Sequence, residues 1–176
     1  MAQQAIYIET QRLHHNTAVR LLVPISCVFS LGVAGAVMVS QNAPASSLAW
    51  MLAIGLGVPL LVSMLPMRTV VTEDAVVVRS LLVVGRSVQM ASVVQAQEVR
   101  YDPLADCGGW GGPRPSRKWG VVYNIAGDRG VHVRYTSSRG ERSILIGSRR
   151  SHELARAIRM AANLPEEEAA HQSAPT

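Results

Sequence analysis

The chain has 176 residues, is 48% apolar and 16% charged, and carries a formal net charge of +5, with Arg supplying sixteen of its seventeen basic residues and Lys118 the other. That length holds one core of about a hundred residues beside any further segment. The two cysteines, Cys27 and Cys107, form no CxxC or metal-ligand spacing and exclude a disulfide framework, and a basic excess without a recognisable binding motif argues against nucleic acid.

Residues 1–19 are polar apart from the patch Ala5-Ile6-Tyr7-Ile8, which reads either as a strand or as a frayed helix start. From 21 to 67 no Asp, Glu, Lys, Arg or His occurs, and two apolar arms, 21–40 and 47–66, flank the loop Gln-Asn-Ala-Pro-Ala-Ser at 41–46. Arms of about 20 residues at 1.5 Å rise match the ~30 Å hydrocarbon core of a bilayer, so residues 20–67 are expected to form a transmembrane helical hairpin, against the alternative of a soluble core hairpin. Arg12 and Arg20 precede the first arm, and Arg68, Arg79 and Arg86 follow the second, which by the positive-inside rule places both termini in the cytoplasm. A second apolar arm after the first favours an uncleaved anchor over a signal peptide. Pro24 is expected in the first turn of its helix and Pro59 inside the second, while the lack of ionisable side chains leaves a proton relay nothing to run on.

Beyond Arg68 the pattern changes to short β-branched runs separated by turn residues, at 69–72, 75–83, 86–90 and 93–101, then 119–125, 130–136 and 142–146. Their spacing predicts an antiparallel meander of about seven strands. In the run 130–136, Val131, Val133 and Tyr135 alternate with His132, Arg134 and Thr136, which predicts one buried and one wet face. Residues 104–118 are too rich in Gly and Pro for regular structure and read as a loop. A helix capped by Ser148 or Ser151 puts Leu154, Ile158 and Ala161 on one stripe with Arg156 and Arg159 facing away, and Leu164-Pro165 ends it. The expected organisation is an N-terminal segment 1–19, a hairpin 20–67, a β domain 68–164 and a disordered acidic tail 165–176.

Strands followed by one closing helix is the order of the pleckstrin-homology (PH) superfold. Glu9-Thr10-Gln11-Arg12, Tyr101-Asp102-Pro103-Leu104, Gly108-Gly109-Trp110-Gly111, Tyr123-Asn124-Ile125-Ala126-Gly127, Arg129-Gly130-Val131 and Leu145-Ile146-Gly147-Ser148 together resemble a family of uncharacterised bacterial two-span membrane proteins with a bacterial PH-like domain after the hairpin. The resemblance runs from about residue 8 to 162. The chain departs from it at Gly112-Pro113-Arg114, where the family tends to have Ile-Arg, and at Ser151, where a helix-starting Pro is usual. It implies a multi-pass protein of the bacterial cytoplasmic (inner) membrane and carries no activity over.

The glycines 108, 109, 111 and 112 around Trp110 allow positive φ and close backbone approach, so this stretch is either a binding loop or a turn that lets Trp110 plug the sheet. Gly108, Gly109, Trp110, Gly111, Arg114, Arg117 and Lys118 are the candidate binding residues, with Arg149 and Arg150 adding to the basic cluster. No dinucleotide-type phosphate loop is present, and the histidines are not spaced as metal ligands, so no cofactor or metal is expected. The function expected is a non-enzymatic, membrane-anchored binding or adaptor module touching the lipid bilayer and a membrane-protein partner. The alternatives are direct binding of anionic lipid headgroups by the basic loop and a thiol-dependent enzyme using Cys107.

Overall fold

A computed structural model describes residues 5–12, 17–41, 45–64, 66–80 and 83–165. Strand β1 (Ala5–Arg12) leads into helices α1 (Thr17–Gln41) and α2 (Ala45–Ser63). After them come β2 (Pro66–Thr72), β3 (Ala75–Ser80), β4 (Val83–Gln89), a 3-10 turn at Met90–Ser92 and β5 (Val93–Arg100). The chain continues through β6 (Gly112–Ser116), β7 (Gly120–Asn124), β8 (Arg129–Ser137), β9 (Gly140–Gly147) and α3 (Ser151–Ala161).

The strands form two sheets, one of four in the order β1-β2-β3-β4 and one of five in the order β5-β8-β9-β7-β6. The expectation of about seven antiparallel strands is corrected in three respects. β1 pairs antiparallel with β2 from Ala5↔Thr72 to Arg12↔Pro66, so the segment before the helices is built into the body. β6 lies inside the stretch read as a loop, at the edge of its sheet, where Pro113 and Pro115 cost no ladder hydrogen bond on the open side. β7 pairs parallel with β9 through Val121↔Ile144 to Tyr123↔Ile146.

The expected transmembrane hairpin is corrected as well: among the described residues no helix is long and apolar enough to cross a membrane. The multi-pass localisation and the orientation drawn from the flanking arginines fall with it. What α1 and α2 form is a packed pair. The Ser30 hydroxyl donates to the Gly55 carbonyl at 3.4 Å, and a Cβ at Gly55 would stand 2.6 Å from that hydroxyl, so only glycine lets the helices meet there. α1 starts at Thr17, which puts Pro24 inside the helix rather than in its first turn.

Two apolar clusters divide the interior. The larger fills the space between the sheets and under α3, with Met67, Val71, Val76 and Val78 from one sheet, Val131, Val133, Ile144 and Ile146 from the other, and Leu154 and Ile158 from the helix. The smaller lies on the opposite face of the five-stranded sheet, where Val122 and Leu145 meet Tyr101, Cys107 and Trp119. Alternation explains the split, because Leu145 stands between Ile144 and Ile146 and must point to the other side. For the same reason His132 does not face water: it is half-buried, with its ring 5.2 Å from Trp119 in an edge-to-face contact.

Neither Ser148 nor Ser151 caps α3. Arg150 occupies the cap position without a side-chain bond, while Ser151 donates to Glu98 Oε1 at 2.5 Å. Leu154 and Ile158 are buried as the stripe predicts, but Arg159 turns inward and donates to the Ala96 carbonyl at 2.7 Å. The expected acidic tail beyond residue 165 lies outside the described residues.

Candidate functional site

Asp102 opens the glycine-rich segment with a tight turn in which its Oδ1 accepts from the amides of Leu104 and Ala105 at 2.8 and 3.0 Å. Those two bonds hold its carboxyl below the ordinary aspartate range, since they stabilise the charged form. Gly108, Gly109 and Gly111 then take φ values of 67°, 110° and 110°, where a side chain is strained. The Arg114 guanidinium reaches back from β6 and donates to the carbonyls of Gly108 and Trp110, so its donors hold the turn. Trp110 is half-buried and donates its indole N–H to the Gly127 carbonyl at 3.3 Å, and the Gly111 amide bonds Asn124 O at 2.9 Å.

The loop therefore brings Gly108, Gly109, Trp110, Gly111 and Arg114 together, and separates them from Arg117 and Lys118. Arg117 is exposed with no polar partner among the described residues. Lys118 lies over the Trp119 ring, 4.6 Å from its centroid, with its ammonium 3.9 Å from Asp106. Trp119, read in the sequence only as the start of a strand, is the tryptophan that covers the sheet. It is buried, and its N–H reaches Asp106 Oδ2 at 3.4 Å. Arg150 does not extend a basic surface freely either, because it donates to the Ile8 carbonyl, pairs with Glu153 and lies over the Tyr7 ring, while the Arg149 side chain is exposed.

Cys107 is buried in the small cluster, and burial first, then the nearby Asp106 and Asp102 charges, pushes its thiol pKa up. An attacking thiolate needs the reverse. Among the described residues no group of three or more His, Cys, Asp or Glu could hold a metal ion.

The structure also joins motifs that stand far apart in the chain. Glu9, buried in β1, accepts from the Tyr7 hydroxyl at 2.8 Å, the Ser148 hydroxyl at 2.5 Å and the Arg149 amide at 3.1 Å. Gln11 donates to the Gly147 carbonyl at 3.0 Å. On its other side Gly147 touches Tyr101 and Asn124 so closely that a Cβ would stand 2.9 Å from the Tyr101 hydroxyl. Burial pushes the pKa of Tyr101, and of Tyr7, up to about 12. Most of the sequence motifs thus lie at one end of the two-sheet body and brace one another.

Among the described residues the broadest exposed apolar surface is elsewhere, on the helix pair. Val28, Phe29, Trp50 and Leu61 are 70%, 72%, 70% and 69% exposed, and Leu21, Ile25, Ile54 and Leu60 are each more than half exposed. An open groove of about 320 Å³ runs between the helices, lined by Phe29, Ser30, Val33, Met51, Ile54 and Gly55. No signal beyond the bare apolar run could have shown this groove, since it depends on the Ser30 and Gly55 crossing. Comparisons with protein-family models, with curated proteins and with solved structures find no match to this chain.

Proposed function

We propose that the chain is a non-enzymatic binding module, an adaptor that docks a protein through the apolar surface of α1 and α2 while the two-sheet body serves as a rigid mount. The observation that carries this reading is the breadth of exposed aromatic and aliphatic side chains on the pair. Contiguous apolar patches beyond a few hundred Å² mark interaction sites, and aromatic anchors dominate interface energies. The raised thiol pKa of Cys107 speaks against the thiol-enzyme alternative.

The test is site-directed photo-crosslinking from α1 and α2 in cells at native expression. The double change Phe29→Ala with Trp50→Ala should abolish protein crosslinks from these helices while the β body keeps its far-UV spectrum. An unchanged crosslink pattern would refute the reading. A second reading, contact with anionic headgroups, has the exposed Arg117 and Lys118 in its favour. It requires salt-sensitive binding to anionic vesicles that falls when both are replaced by Gln.

A further inference from the structure

A different cluster lies inside the two-sheet body, away from the helix pair. Arg86 stands opposite Val78 in the β3–β4 register and so shares the inward face of that fully buried valine. It is half-buried, and its guanidinium lies 5.9 Å from the centroid of the Tyr135 ring. Burial pushes the pKa of the Tyr123 hydroxyl up, and Arg86 lies close enough to offset part of that rise. Tyr135 is 6% exposed, and its hydroxyl is buried with no hydrogen-bond partner among the described residues. Arg142 is the register partner of Tyr135 and takes the same face, while alternation sends Glu141 and its ion-pair partner Arg134 to the other. Among the described residues no ion pair involves Arg86 or Arg142, so two guanidiniums gather without a carboxylate. Each half of this arrangement is costly alone. A half-buried cation loses solvation that no counter-charge restores, and a buried hydroxyl left unpaired carries its full desolvation penalty. One oxyanion answers both, since guanidinium forks and hydroxyls donate and an oxyanion accepts.

We propose that Arg86, Tyr123 and Tyr135, with the exposed Arg142 beside them, bind a small oxyanion between the sheets, the phosphate or carboxylate group of a soluble ligand. The site shares no residue with the helix pair or with the Arg117 and Lys118 surface, so it stands or falls apart from the adaptor reading. The full chain in a mild non-ionic detergent is titrated calorimetrically with inorganic phosphate and with acetate. Sodium chloride holds the ionic strength constant, so general screening is the same throughout. Saturable binding of at least one probe is expected, and the tighter of the two identifies the group. Arg86→Gln should weaken it by at least about 10-fold, the loss of a charge-assisted pair. Tyr135→Phe, which removes one hydroxyl and leaves the ring under Arg86, should also weaken it by about 10-fold. Arg129→Gln, an equal change of charge at an exposed position of the same sheet, should alter it by less than about 2-fold.

Failure of both probes to bind saturably overturns the proposal, as does binding that Arg86→Gln and Arg129→Gln lower equally. Should Arg86→Gln not fold, Tyr135→Phe decides, and probe binding equal to wild type overturns the proposal. If neither probe binds but the chain floats with phosphatidylcholine vesicles containing phosphatidic acid, and Arg86→Gln abolishes this, the oxyanion is a lipid headgroup and the soluble ligand is refuted.

Discussion

Glu9→Ala is the most informative single substitution for the fold, because the Glu9 carboxylate is the junction between the first strand and the turn into α3. It is 6% exposed and accepts three hydrogen bonds, from Tyr7, Ser148 and the Arg149 amide. A bond to a charged acceptor is worth about 1.5–3 kcal/mol, but desolvating the carboxylate cancels part of the sum. The Tyr7 and Ser148 hydroxyls, 3.4 Å apart, can also pair with each other once the carboxylate is gone. The expected net loss is therefore about 3 kcal/mol for Glu9→Ala and about 1.5 kcal/mol for Glu9→Gln, which keeps one acceptor oxygen. Domain stabilities are about 5–15 kcal/mol, so the Ala variant forfeits a large share. Urea unfolding followed by tryptophan fluorescence measures both. A cycle with Ser148→Ala should show coupling of at least about 1 kcal/mol, since the two side chains share one bond. If Glu9→Ala costs under about 1 kcal/mol and shows no coupling to Ser148, the first strand is not latched to the body in this way.

Three other expectations follow from the same structure. Trp119→Ala should destabilise the chain by about 3–5 kcal/mol, as for a buried aromatic, while the half-buried Trp110 should cost about 1 kcal/mol; equal losses in urea unfolding would show that the two roles are misassigned. Gly120→Ala should cost more than about 2 kcal/mol, because φ is 73° and the new Cβ would stand 2.2 Å from the Ser143 carbonyl oxygen; a variant that melts like wild type would contradict the parallel sheet geometry around it. Tyr7 and Tyr101 titrate at about 12 in the folded chain against about 10 unfolded, so their contribution is complete below pH ~10 and is lost as pH rises towards 12. Two pH units correspond to at most about 2.7 kcal/mol for each residue, and Tyr101→Phe should flatten the alkaline fall in urea midpoint; an unaltered fall would mean the Tyr101 hydroxyl is not what resists ionisation.

The strands after residue 66 were legible because burial on one side imposes alternation, and Val76 and Val78, or Val131 and Val133, carry it openly. β1 was legible only as one of two alternatives, a strand or a frayed helix start, because its pattern is inverted: Ile6 and Ile8 are exposed, while Tyr7, Glu9 and Gln11 point inward to hydrogen-bond partners 136 residues or more away. No local rule places a glutamate inside a fold. β6 was hidden by Pro113 and Pro115, which only an edge position tolerates, and edge position is a property of the assembled sheet. His132 was read as wet because one alternating face was assumed to meet solvent. The loop ending at Trp119 returns over that face and builds a second small core, a contact between residues too far apart for periodicity to register. Composition alone determined that the apolar arms, seen as α1 (Thr17–Gln41) and α2 (Ala45–Ser63), form helices, since no Asp, Glu, Lys, Arg or His interrupts the run from 21 to 67. Their pairing at Ser30 and Gly55, and the braced end where Glu9, Gly147, Tyr101 and Asn124 converge, arise only when distant segments meet.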